Sequence, residues 1–200
     1  MRVGIVGAGS VGRALGAGLV ELDDVEVVYG VRNPSDTAHQ TLGTVATAAE
    51  AAAGSDVVVL AVPATAVADL VPALELRDPQ IIVDATNAVR TPVPDGYDTM
   101  GAFVGSLLPA RVLLVKAFNT IGAEHLGDGR FGSDRAFLPI AGDEQGLDVV
   151  EPLAESLGFA PVVLGGRETF GLVEAHAALW IHLAFNCGWG RSFGFVTRDR

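Results

Sequence analysis

The opening of this chain constrains its fold more than any other stretch. Arg2-Val3-Gly4-Ile5-Val6 is a short apolar run, and Gly7-Ala8-Gly9-Ser10-Val11-Gly12 follows it at once, fitting G-x-G-x-x-G. Such a pattern says little alone, but after a strand and at the mouth of a helix it reads as a dinucleotide-binding turn. Gly7 permits the tight turn, Gly9 lets the backbone approach a pyrophosphate, and Gly12 lets the helix pack closely on the strand. Backbone N–H groups from Ser10 and Val11 onward, with the positive end of the helix dipole, then face the phosphates.

The end of the second strand selects the dinucleotide. An acidic residue about 20 residues past the glycines ordinarily holds an unphosphorylated ribose through its 2′-hydroxyl. Here the chain reads Tyr29-Gly30-Val31-Arg32-Asn33-Pro34, with no acid. Arg32 can meet a 2′-phosphate with its guanidinium fork, Asn33 can add a neutral donor, and Ser35 and Thr37 follow. NADP(H) is the cofactor this pattern implies.

The rest of the chain alternates apolar runs with Ala-rich helical stretches, which predicts an α/β fold. Strands are expected at Arg2–Val6, Val25–Tyr29, Asp56–Ala61, Ile81–Asp84, Val112–Ala117, Ala136–Ala141 and Ala160–Leu164, with a weak one at Thr44–Ala46. Helices are expected at Val11–Leu22, Thr47–Ala53, Ala66–Leu74, Asp98–Leu108, Glu144–Leu157 and Thr169–Phe185. Val57-Val58-Val59-Leu60 is apolar on both faces, as a central parallel strand covered by helices should be. Asp143 reads as an N-cap and Gly158 as a helix stop. The architecture implied is a Rossmann-type doubly wound, mainly parallel sheet over 1–165, with a small C-terminal helix-and-strand extension over 166–200.

Charge and cysteine use narrow the function classes. With 24 acidic residues against 13 basic ones the formal net charge is −11, so nucleic acid and anionic membrane surfaces are disfavoured as partners. Cys187 is the single cysteine, which excludes an internal disulfide and a Cys-rich zinc site. Half the residues are hydrophobic, enough for a sizeable core, yet the apolar run Val57–Ala68 is too short to span a bilayer. With no signal-peptide pattern at the start, a cytoplasmic setting is expected.

In open α/β sheets ligands bind beyond the carboxyl ends of the strands. Val62 and Pro63, then Thr86 and Asn87, then Asn119, Thr120 and Ile121 occupy those positions and are the expected lining of the nicotinamide path. Lys116, inside an apolar strand, needs a salt bridge or a phosphate. Glu174 and His176 should face different sides of their helix, and His182 reads as a core or interface residue rather than a catalyst. Neither a Ser-His-Asp order nor a carboxylate dyad stands out, so no catalytic side chain and no metal ligand set is assigned. Hydride transfer between two stacked rings fits that absence, because it needs positioning and exclusion of water rather than a protein nucleophile.

These residues also carry a family resemblance. The opening Met1–Gly12, Val31-Arg32-Asn33-Pro34, Val115-Lys116-Ala117-Phe118-Asn119-Thr120-Ile121-Gly122, Leu179-Trp180-Ile181-His182-Leu183-Ala184 and Gly190-Arg191-Ser192-Phe193-Gly194-Phe195 resemble the NADP oxidoreductase, coenzyme F420-dependent family. The resemblance implies reversible hydride exchange between NADPH and the deazaflavin F420, with the rings stacked between the core and the C-terminal part, and a homo-oligomer. Where members carry a Gly-Gly-Thr-Gly turn and a His-Thr-Ile-Pro segment, this chain has Gly7-Ala8-Gly9-Ser10 and Asn119-Thr120-Ile121-Gly122. Three functions therefore stay open: an F420-linked reductase, a reductase of flavin or ferric chelates, and a non-catalytic NADPH-binding module. The nearly all-round apolar helix Thr169–Phe185 must be buried on several sides, either plugging the C-terminal core or forming a two-fold interface, and a homodimer is the favoured expectation.

Overall fold

A computed structural model describes residues 1–89 and 91–198. Eight strands form one sheet: β1 (Arg2–Val6), β2 (Glu26–Val31), β3 (Thr44–Thr47), β4 (Val57–Leu60), β5 (Ile81–Asp84), β6 (Leu113–Lys116), β9 (Phe137–Gly142) and β10 (Ala160–Val163). A small hairpin of β7 (Arg130–Phe131) and β8 (Asp134–Arg135) stands apart. Helices are α1 (Ser10–Leu19), α2 (Ala48–Ala53), α3 (Val67–Leu70), α4 (Met100–Leu107), α5 (Glu144–Ser156) and α6 (Phe170–Phe185).

Strand order across the sheet is β10-β9-β6-β5-β4-β1-β2-β3, and every pairing is parallel except β6 with β9. The chain winds outward from β1 through β2 to β3, then crosses to β4 and winds the other way. The crevice between β1 and β4 is thus the switch point where such sheets bind ligands. This is the Rossmann-type fold the alternating pattern predicts.

Two-sided burial explains the strand composition. Val3, Ile5, Val57 and Val59 pack with Leu15 and Leu19 of α1 and with Val150 and Leu153 of α5 on one face. Val6, Val58 and Leu60 pack with Val67, Met100, Val104, Phe170 and Val173 on the other. A strand that alternates between two apolar layers carries polar residues only where they find buried partners.

Local chemistry sets the helix ends. The Thr47 hydroxyl accepts from the Glu50 N–H at 3.3 Å while the Glu50 carboxylate accepts from the Thr47 N–H at 2.9 Å, a reciprocal cap on α2. The Thr99 hydroxyl accepts from the Ala102 N–H at 3.0 Å at the start of α4. Gly158 ends α5 with φ +85°. Asp143 occupies the N-cap position of α5, but its side chain does not cap the helix. It accepts instead from the Leu114 N–H at 2.7 Å and from Arg167 Nε at 2.8 Å, so a neighbouring strand and a guanidinium outcompete the local N–H groups. The segment expected as one helix over Ala66–Leu74 is a short α-helix between two 3₁₀ turns.

The C-terminal part holds one long helix and a tail. Residues 186–198 carry no assigned strand, contrary to the helix-and-strand extension expected. Gly188 and Gly190, at φ +74° and +71°, take the chain out of extended geometry. The tail touches the sheet where the Phe195 carbonyl accepts from the Phe137 N–H at 2.8 Å. Phe193 stacks on Trp180 at 5.1 Å and its carbonyl accepts from Trp180 Nε1 at 3.0 Å. No helix among the described residues is long and apolar enough to cross a membrane.

Candidate functional site

The glycine-rich turn is built by close approach. Gly7 has φ +110°, and its N–H donates to the Gly30 carbonyl at 2.9 Å, tying the end of β1 to β2. A Cβ on Gly7 would lie 2.4 Å from the Ala61 carbonyl oxygen, and one on Gly12 would lie 2.0 Å from the Gly7 carbonyl oxygen. Neither position admits a side chain. Gly9 differs: a Cβ there would meet nothing within 4 Å. The fold does not need a glycine at that point, so its bareness suits an approaching ligand rather than packing. Gly9 and Ser10 are exposed at the start of α1, and Val11 is half-buried beside them. Val62 and Pro63 follow β4, with Val62 Cγ1 facing the Gly7 position from across the switch point.

The corner after β2 carries Arg32 and Asn33, both exposed. The Asn33 side-chain oxygen accepts from the Ser35 N–H at 3.2 Å, and the Asp36 carboxylate accepts from the Ala38 N–H at 2.9 Å. The turn is thereby shaped by its own side chains.

Thr86, Asn87, Asn119 and Thr120 converge beyond β5 and β6. Asn87 Nδ2 donates to the Asn119 carbonyl at 2.6 Å, and Asn119 Nδ2 donates to Asn87 Oδ1 at 3.0 Å. Asn119 Oδ1, Thr120 Oγ1 and Thr86 Oγ1 are buried without a hydrogen-bond partner. Orphaned polar groups of this kind cost about 1–3 kcal/mol each, and their clustering at the strand ends suits a ligand bearing donors and acceptors. Phe118 sets this corner. Its φ is +60°, a left-handed conformation that a phenylalanine adopts only under constraint, and its ring is buried edge-to-face against Phe159 at 6.1 Å. The sharp turn there brings Asn119 round to Asn87. Ile121, half-buried, follows and packs toward Gly194 of the tail.

Beneath the pair lies a buried ionic group that spacing in the sequence does not reveal. Lys116, fully buried, donates to Asp84 Oδ2 at 2.8 Å and to the Thr86 carbonyl at 2.6 Å, and lies 3.2 Å from Glu174 Oε1. The Glu174 carboxylate also accepts from the Met100 and Gly101 N–H groups at 3.0 and 2.9 Å. Lys116 thus takes the salt bridge rather than the phosphate, and α6 is locked to β5, β6 and the head of α4. Glu174 and His176 do face different ways: His176 sits between Phe137 and Phe195, and burial pushes its imidazole below the ordinary histidine range.

A cavity of about 920 Å³ opens beside Asn87, walled by Val89, Ile181 and Phe185 and by the polar groups of Glu174, His182 and Asn186. His182 is exposed on this wall, which excludes the core, one of the two places its apolar neighbours suggest. Its neighbours Ile181 and Leu183 are half-buried while its own position on α6 turns outward. The cavity escapes sequence reading because its walls lie about ninety residues apart.

Residues 2–88 match the model of a family described as NADP oxidoreductase, coenzyme F420-dependent. The match takes in the glycine-rich turn and β1 to β5, less than half of the chain. Over those residues the chain is similar to NADP-dependent oxidoreductases, and its turn and doubly wound sheet have the architecture of a dinucleotide-binding unit. Its likeness to solved structures extends over the full length: a protein of Arthrobacter sp. FB24 assigned as an F420-dependent NADP-reductase is 25% identical, with a TM-score of 0.84 and all of both chains covered. Hypothetical protein SMa0349 of Sinorhizobium meliloti is 30% identical, with a TM-score of 0.72 over 84% of this chain and 86% of that one. Metalloreductase STEAP3 of Rattus norvegicus is 32% identical over 177 residues, 87% of this chain. This chain spans only 36% of the length of that curated relative.

Proposed function

We propose that this oxidoreductase transfers hydride between NADP(H) and coenzyme F420. The observation that carries the reading is the roughly 920 Å³ cavity beside the Asn87–Asn119 amide pair, which has room for a second ring system at the nicotinamide end of the crevice. Gly7, Gly9, Ser10, Val11 and Gly12 cradle the pyrophosphate, Arg32 and Asn33 take the 2′-phosphate, and Val62 and Pro63 line the path between. Thr86, Asn87, Asn119, Thr120 and Ile121 hold the carboxamide and flank the reacting ring. When bound, the reduced nicotinamide supplies the hydride. The residues of the chain bind, orient and shield, and no side chain forms a covalent bond. Apolar Ile181 and Phe185 line the acceptor side.

Pure protein mixed with NADPH and F420 tests this: the visible absorbance of the deazaflavin is expected to fall as NADPH is consumed. An unchanged absorbance at micromolar protein refutes the F420 activity. A second reading, with ferric chelate or free flavin as acceptor, draws on the identity to the metalloreductase. NADPH oxidation with those acceptors and none with F420 selects it.

We further infer a homodimer through α6. Phe170, Val173, Ala177, Trp180 and Ala184 face the core, while Leu172, Leu179, Phe185 and the following Trp189 stay exposed. Leu172 and Leu179, two turns apart on one side of α6, give an exposed apolar patch that suits a second copy of the chain. Sedimentation should give a species of about twice 20.6 kDa, and a monomer at all concentrations removes the inference.

A further inference from the structure

Arg13 is not among the glycines or strand-end residues that a dinucleotide fingerprint assigns, yet it joins the two loops on which the cofactor reading depends. Its Nε donates to the Ala8 carbonyl, inside the glycine-rich turn, at 2.8 Å. Its Nη2 donates to the Ala38 carbonyl, in the turn after β2, at 2.9 Å. One planar guanidinium thus spans 30 residues of sequence and fastens an exposed turn to the start of α1.

Two further observations make a purely structural role inadequate. Arg13 is the fourth residue of α1, where a positive side chain opposes the positive end of the helix dipole. A chain that keeps a cation there, when a neutral side chain would suit the helix better, breaks a local rule in the place where an anion is expected. Moreover, residues 32–38 are all exposed, and their internal hydrogen bonds, Asn33 to Ser35 and Asp36 to Ala38, shape the turn without attaching it to the core. The Arg13 bond to Ala38 supplies such an attachment. It leaves other guanidinium N–H groups uncommitted at the same corner.

We propose that Arg13 sets the preference for the phosphorylated dinucleotide, by clasping the 32–38 turn against the glycine-rich turn so that Arg32 and Asn33 are held where a 2′-phosphate arrives. This rests on the NADP(H) reading above and adds a residue to it. Arg13 is a positioning residue: it acts through the turn carrying Arg32, and its charge raises the potential at the same corner.

The test is isothermal titration of the full chain with NADPH and with NADH, together with amide hydrogen exchange over residues 32–42 of the free protein. Arg13→Met should weaken NADPH binding by about tenfold or more, the size of one or more lost charge-assisted contacts, and NADH binding by less than about threefold. The ratio of the two dissociation constants should fall, and exchange at Thr37–His39 should quicken. Arg13→Lys keeps the charge but cannot fork to both carbonyls, so it should lie between parent and Met variant while exchanging quickly. Equal weakening of both nucleotides, or no change in the ratio, overturns the proposal. So does a Lys variant identical to the parent in ratio and exchange. Should the Met variant fail to fold, Arg13→Gln and Arg13→Lys carry the same comparison. A parent that binds both nucleotides equally sinks the NADP reading and this proposal together, whereas a selective parent with an equally selective Met variant sinks the role of Arg13 alone.

Discussion

Replacing Lys116 by Met should cost this protein a large part of its stability, through what the change leaves behind. The ammonium is wholly buried and touches Asp84, the Thr86 carbonyl and Glu174 within 3.2 Å. Methionine fills the space but leaves a fully buried Asp84 with one remaining donor, the Thr86 N–H at 2.8 Å. Glu174 fares better, since it keeps the Met100 and Gly101 N–H groups and is 16% exposed. Removing one partner of a buried pair costs about 3–5 kcal/mol, and here most of it falls on Asp84. That is a sizeable share of the roughly 5–15 kcal/mol by which folded domains are stable. For a chain of this length it should lower Tm by about 6–20 °C. Urea unfolding followed by the fluorescence of Trp180 and Trp189 reads the loss. Adding Asp84→Asn removes the stranded charge while its amide oxygen still accepts from Thr86, so the double variant should regain at least about 1 kcal/mol over the single one. A loss under about 1 kcal/mol for Lys116→Met, or a double variant no more stable than the single, would refute the reasoning.

The glycines of the turn should separate by experiment. Gly9→Ala meets nothing in the protein and should leave Tm unchanged while weakening NADPH binding at least about tenfold, whereas Gly12→Ala drives a Cβ into the Gly7 carbonyl and should lower Tm as well. Thermal melts and titration of each variant check both. His176 is pushed below the usual histidine range by burial, so the folded state takes up its proton less readily than the unfolded one. Its stabilising contribution is present above about pH 6.5 and is lost as pH falls below that value, and His176→Phe should flatten Tm between about pH 6.5 and 5. At Asp143 burial pushes the carboxyl up, but the Arg167 hydrogen bonds, the Leu114 N–H and the Arg167 charge together hold it below the ordinary aspartate range. That contribution is present above about pH 4 and lost below it as pH falls through the folded pKa, so Asp143→Asn should lower Tm at neutral pH and shrink the loss under acid.

Legibility in the sequence followed the range of the interaction. The two-sided apolar runs set the strands to within about two residues, because a strand buried between helical layers is apolar except where a polar group finds a buried partner. Helix ends were readable where the partner is local, as at Thr47 with Glu50. At Asp143 the helix begins where the sequence puts it, but the carboxylate meets Leu114 and Arg167, about 25 residues away, instead of capping the helix. Lys116 shows both sides. An isolated lysine in an apolar strand demands a counter-charge, but only the fold says that Asp84 and Glu174 supply it.

What the chain's own order of residues determined was the βαβ start, its glycine turn and the Arg32–Asn33 corner, since all lie within one crossover and depend on backbone freedom and side-chain type. Tertiary structure alone decided the left-handed turn at Phe118, the meeting of Asn87 with Asn119, the cavity closed by α6 and the reach of Arg13 to Ala38. Each of these needs groups distant in sequence to be brought within contact. A sidedness pattern records which way a residue must face, and carries no record of which neighbour it will find there.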